Sequence, residues 1–142
     1  MKTIETFKNC ISIANDVLVS CGCVDGEKAT LTEMKKWKAD TVPFYINKAE
    51  IDANKFTTFI VVKVNSPTSI GKADNKSAFK KCVIYLDIIT TKSQTDVKLL
   101  NQLTKIETSF EKKEWQFDML REAELDSSSN RLTWSFEISK TL

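Results

Sequence analysis

Histidine is absent from the 142 residues of this chain. Its absence removes Ser-His-Asp and Cys-His pairs, histidine-bearing zinc and iron sites, and the commonest general base near neutral pH. Glycine is scarce, at three residues, and no Gly-Lys-Ser/Thr run occurs. The chain therefore lacks the nest of backbone donors that cradles a phosphate. No Gly-x-Ser-x-Gly turn is present either. Charge of one sign is lacking too. Lys and Arg number 21 against 19 Asp and Glu, and a net charge of +2 argues against a protein built to coat nucleic acid. Apolar runs are short: Phe59-Ile60-Val61-Val62 ends at Lys63, well below the roughly 18–20 residues that span a bilayer. Met1 to Lys8 is interrupted by charge and carries no secretory apolar region, so a cytoplasm-like compartment is expected.

What remains suits a single globular domain over 1–142. A composition 42% hydrophobic and 28% charged is too apolar for a disordered chain. Four cysteines occur: Cys10, Cys21, Cys23 and Cys82. With no sign of export, they read as reduced, mostly buried thiols rather than a disulfide framework. Cys21-Gly22-Cys23 has no second cysteine pair and no histidine to complete a zinc site, so neither a metal nor a cofactor is expected.

Periodicity supplies the elements. Ile4, Phe7, Ile11, Ala14 and Leu18 recur at helical spacing and predict a helix over 3–20, capped by Thr3 and stopped by Gly22. Residues 22–41 hold an Asp25-Gly26 turn and a short helix through Leu31, Met34 and Trp37, with Lys35, Lys36 and Lys38 as a solvated face. Val42 to Ile46 is a short strand, with Pro43 placing it at an edge or a strand start. Phe56 to Val64 is a dense β-rich run. Small and polar residues over 65–78 predict a long, mobile hairpin loop. Phe79 to Thr90 then alternates, with Cys82, Ile84, Leu86 and Ile88 on one face.

A second helix is expected over 93–112, capped by Thr95, with Leu99, Leu100, Leu103, Ile106 and Phe110 as its stripe. Trp115, Phe117 and Met119 alternate as a strand, Ser127 to Asn130 form a loop, and Leu132 to Ile138 is the cleanest half-buried strand. The expected fold is α+β: an antiparallel or mixed β-sheet with two helices packed on one face, in the order α-(short α)-β-β-β-α-β-β.

No spacing nominates a catalytic group, and the chain is read as a non-enzyme. Glu111, Glu114, Asp118, Glu122, Glu124 and Asp126 make an acidic stretch that reads as solvated surface, with a subunit interface as its other use. Lys72, Lys76, Lys80 and Lys81 lie on or beside the 65–78 loop next to Phe79. This is the pattern of a small nucleic-acid-binding or regulatory module, the alternative function. A long loop rooted in two dense strands favours assembly instead, since loops that order on contact wrap a neighbouring subunit.

The layout resembles the tail terminator, or tail completion, proteins of long-tailed bacteriophages. The resemblance rests on the N-terminal amphipathic helix, Val42-Pro43-Phe44-Tyr45-Ile46, and the strand at Phe56–Val64. It continues in Ala73-Asp74-Asn75-Lys76 followed by Val83-Ile84-Tyr85-Leu86-Asp87-Ile88-Ile89-Thr90, an Ala-Asp-Asn loop before a long strand. The helix of Asp96–Lys112 and the strands Trp115–Met119 and Leu132–Ile138 complete it. The resemblance implies a virion structural protein of the tail or neck, assembled in the host cytoplasm. It implies a homo-oligomeric ring, commonly a hexamer, on the head-proximal end of the tail tube. Such a ring stops tube polymerisation and joins the tail to the head–tail connector (stopper or adaptor) proteins. Genomic DNA passes through the lumen without sequence recognition, and no membrane or catalytic residue is involved. Ile70, Lys72, Asp74, Asn75, Lys76, Phe79 and Lys80 are the candidate interface or lumen loop. Its lysines suit an acidic surface on a neighbour or passing DNA, and the sequence leaves both open.

Overall fold

The computed structural model describes residues 2–38, 40–48, 56–73 and 76–142. The chain runs α1 (Thr3–Ser20), β1 (Val24–Asp25), α2 (Leu31–Lys35), β2 (Pro43–Ile46), β3 (Thr58–Val64), β4 (Thr68–Ala73), β5 (Lys76–Thr90), α3 (Val97–Lys112), β6 (Gln116–Asp126) and β7 (Arg131–Thr141). The fold is α+β. One seven-stranded sheet has the order β1-β2-β3-β5-β7-β6, with β4 paired to β5. The sheet is mixed: β1–β2 and β2–β3 are parallel, and every other pair is antiparallel.

Alternation along the strands builds the core. Phe44 of β2, Ile60, Val62 and Val64 of β3, Cys82, Ile84, Leu86 and Ile88 of β5, and Trp134, Phe136 and Ile138 of β7 share one buried cluster. Cys10, Ala14, Val17 and Leu18 of α1 and Leu99, Leu103, Ile106 and Phe110 of α3 close over it. The four β5 positions expected to face inward are all buried. The second face carries a smaller cluster. Tyr45, Phe56 and Phe59 pack there with Trp37, Val61 and Ile89. Arg131 fastens this corner by donating from Nη2 to the Phe56 carbonyl at 2.9 Å, with its guanidinium 5.3 Å from the Phe59 ring centre. Leu100, by contrast, lies outside the buried side of α3 and is exposed.

The buried stripe of α1 is rotated from the expected one. Thr6, Cys10, Ala14, Val17 and Leu18 face the sheet, while Ile4 is 66% exposed and Phe7 and Ile11 sit at the margin. Cys10 and Ala14, both small, are fully buried among the sheet side chains, where the larger Ile4 has no place. Thr3 is the first helical residue rather than the cap. The cap position is Lys2, and Thr6 Oγ1 donates to its carbonyl at 3.0 Å. Gly22 does end the helix. Its φ of 88° lets Gly22 N–H reach the Val19 carbonyl and Cys23 N–H the Leu18 carbonyl, at 3.1 and 3.0 Å. Asp96, not Thr95, caps α3: its carboxylate accepts from Leu99 N–H at 2.9 Å.

Pro43 opens β2, where it has no ladder donor to lose. At the other end of β2, Asn47 takes a φ of 53°. Its side chain mimics a strand residue: Nδ2 donates to the Val64 carbonyl at 3.1 Å and Oδ1 accepts from Val64 N–H at 2.8 Å.

The rotated stripe is testable by denaturant unfolding. Leu18→Ala should cost about 2–5 kcal/mol, whereas Ile4→Ser should stay within about 0.5 kcal/mol of wild type. A large loss at Ile4 overturns the assignment of the buried side.

Candidate assembly surface

The 65–78 stretch, expected as a mobile loop, is largely β-structure. Residues 68–73 form β4 and pair with 76–81 of β5, Ile70 lying opposite Phe79. The β3–β5 register ends at Val64 opposite Ile84, and Asn65 N–H still reaches the Val83 carbonyl. Pairing resumes at Thr68 opposite Lys81, so Ser66 and Pro67 together span Cys82. This is a bulge: one extra residue shifts the alternation and bends the ladder. The turn-forming residues around Pro67 mark this bulge, and strand pairing resumes beyond it. Asp74 and Asn75, named for the candidate loop, lie outside the described residues.

The result is a two-stranded arm. β7 follows β5 as far as Lys81 opposite Thr141, and a last pair of bonds joins Lys80 to Leu142 at 3.0 and 2.8 Å. Beyond that point β5 has only β4 beside it. Ile70 and Phe79 face each other across the arm, 36% and 55% exposed. Lys80 is already engaged: its Nζ donates to Ser69 Oγ at 3.1 Å and to Thr3 Oγ1 at 3.2 Å, tying the root of the arm to the start of α1. Lys72 and Lys76 sit in the paired strands of the arm itself. Beside the root, a shallow groove of about 560 Å³ is lined by Ile70, Lys81, Glu114, Gln116, Ser139 and Thr141 among others.

A second feature was not legible in the sequence. β6 runs on to Asp126, well past Met119, and forms one end of the sheet with its outer edge unpaired among the described residues. Two register shifts, between Met119 and Arg121 and between Arg121 and Glu124, break its alternation. The strand period therefore vanishes from the sequence just where the strand continues. Met119, Leu120 and Leu125 are about half exposed, at 50%, 51% and 59%. Near its end a groove of about 450 Å³ is lined by Asp87, Arg121, Glu124, Leu125, Asp126 and Thr133 among others. The Ser128 hydroxyl and N–H, then the Ser129 hydroxyl, donate to Asp126 and hold its carboxyl below the usual carboxylate range.

The thiols form no single cluster. Cys10 and Cys82 are buried neighbours, Cys21 Sγ lies 3.5 Å from Ser109 Oγ, and Cys23 Sγ accepts from Gln102 Nε2 at 3.5 Å. Among the described residues no group of three or more Cys, Asp or Glu side chains is placed to hold a metal ion. No helix among them is long and apolar enough to cross a membrane. No protein-family model matches the chain, and no curated protein matches it either.

Two measurements follow from this geometry. Burial pushes the Cys10 thiol up, with Cys82 beside it adding to the shift, and pushes Cys23 from 9.0 to about 12. On raising the pH, the unfolded chain therefore releases these protons first. Stability should be intact below pH 9.0 and fall as pH climbs from there towards about 12. Replacing Cys23 with Ala should flatten that alkaline limb in a denaturant series; an unchanged slope is the adverse result. Separately, Phe79→Asp should leave the unfolding midpoint of the isolated chain close to wild type, within about 0.5 kcal/mol. A loss of several times that amount means Phe79 belongs to the core.

Proposed function

We propose that this chain is a structural assembly protein that closes into a ring, of the kind its layout resembles in phage tail terminators. Its single strongest support is the arm of β4 and the first half of β5. A two-stranded hairpin that leaves its sheet is marginal in water, yet this one carries an exposed phenylalanine opposite an isoleucine. Burying the part of these side chains that is still exposed stabilises by about 0.5–1.5 kcal/mol each.

The ring reading also accounts for the asymmetry of the surface. The arm, the β6 edge and the half-covered second face of the sheet are different patches, and a contact between different patches propagates until it closes. In this reading the ring sits on the head-proximal end of the tail tube, in the neck of the virion. One rim copies a tube-subunit interface and so binds the tube, and the other rim does not, which ends polymerisation. The connector proteins meet that second rim, and DNA passes through the lumen.

The alternative, a nucleic-acid module, draws on the same arm, where the exposed Phe79 ring lies near Lys81. Nucleic-acid-free protein separates the two readings. Multi-angle light scattering and negative-stain images should show closed rings without any added nucleic acid, and rings at one end of purified tail tubes. A strict monomer that leaves tubes undecorated overturns the assembly reading.

A further inference from the structure

The fold sorts the four thiols into two kinds. Cys21 and Cys23 flank Gly22 but engage different residues of α3, Ser109 and Gln102. Cys10 and Cys82 come from opposite sides of the core. Cys10 lies on the side of α1 that faces the sheet, and Cys82 on the side of β5 that faces the helices. They are 1% and 0% exposed and sit side by side.

Their position in the fold gives the pair a use. The β3–β5 pairing ends at Val64 opposite Ile84, and the β4–β5 pairing begins at Thr68 opposite Lys81, so Cys82 marks the changeover. The start of α1 is held lightly. Lys2, its N-cap residue, receives no side-chain cap bond, Ile4 is exposed, and a solvent-exposed bond from Lys80 Nζ to Thr3 Oγ1 ties this end to β5. Helix ends held in this way open locally far more often than the whole fold unfolds.

We propose that Cys10 and Cys82 form a redox latch: two-electron oxidation by a small disulfide such as oxidised glutathione joins them and bolts the first half of α1 to β5. The closed state protects the pair, because burial pushes the Cys10 thiol up to about 12 and leaves little thiolate at neutral pH. Opening of the first turns of α1 uncovers it. The Cys10 thiolate then attacks one sulfur of the small disulfide, forming a mixed disulfide and expelling one small thiol. As the helix closes, the Cys82 thiolate attacks the Cys10 sulfur and expels the second. The net exchange breaks one S–S bond and forms one. The two protein thiols are oxidised, and the small disulfide leaves as two thiols carrying both protons. A reducing compartment keeps the latch open and an oxidising medium sets it. The inference goes beyond the assembly reading and does not depend on it.

The test needs no substitution. The folded chain is incubated with excess oxidised glutathione, its remaining thiols are blocked with N-ethylmaleimide in denaturant, and its tryptic peptides are read by tandem mass spectrometry. Two of the four thiols should escape blocking. Cys10, Cys21 and Cys23 share the tryptic peptide 9–28, and fragment ions within it should place its bridge to the 82–92 peptide at Cys10. The bridged species should run as a single chain on a non-reducing denaturing gel. It should unfold at a higher denaturant concentration than the reduced chain, and dithiothreitol should restore the reduced midpoint. A bridge between Cys21 and Cys23, glutathione adducts without an internal bridge, a link between two chains, four thiols that all remain blockable, or a bridged chain less stable than the reduced one each overturns the inference. Every one of these outcomes leaves the assembly reading standing.

Discussion

Side chains alternate along a strand, and in β5 that constraint runs for fifteen residues through the middle of the molecule. Cys82, Ile84, Leu86 and Ile88 face α1 and α3, while Val83, Tyr85, Asp87 and Ile89 face the other way. β3 pairs along one side and β7 along the other, each in register for seven residues or more. A one-residue slip would exchange the two faces and put Asp87 into the helix-covered core. The helices find their place because this face is apolar, and the arm is the same strand continued past the point where the helices end. Core and candidate interface are therefore two lengths of one element.

The bulges decide what the sheet can do at its margins. At Ser66 and Pro67 the β3–β5 pairing gives way to β4–β5 pairing, and β5 runs on past the end of β7 with β4 beside it. In β6 two irregularities turn successive side chains away from strict alternation, leaving Met119, Leu120 and Leu125 half exposed on an acidic strand. Bulges and charge ordinarily protect an edge from indiscriminate pairing. Solvated carboxylates are the ordinary condition of such a stretch, and that description holds for the isolated chain.

Exposed ion pairs contribute little individually, and the chain shows only two weak intramolecular bridges among its described residues, each at 4.0 Å. Lys80 is tied within its own chain: the hydroxyls of Thr3 and Ser69 accept from its Nζ.

The sequence by itself determined whatever follows from local period and local chemistry. The inward positions of β5, the apolar side of α3 at Leu99, Leu103, Ile106 and Phe110, the stop at Gly22 and the α+β class were all legible. Each depends on neighbours only a few residues away. Ala14 and Leu18 of the α1 stripe were legible as well, but tertiary structure alone turned the helix so that Thr6, Cys10 and Val17 are buried while Ile4 is exposed. It alone continued β6 beyond Met119, because bulges erase the period that reveals a strand. It alone drew an arm from turn-rich residues, because ladder bonds to the far strand outweigh weak local preference. Pairing between strands far apart in the chain, as of β5 with β7, is what no window of sequence contains.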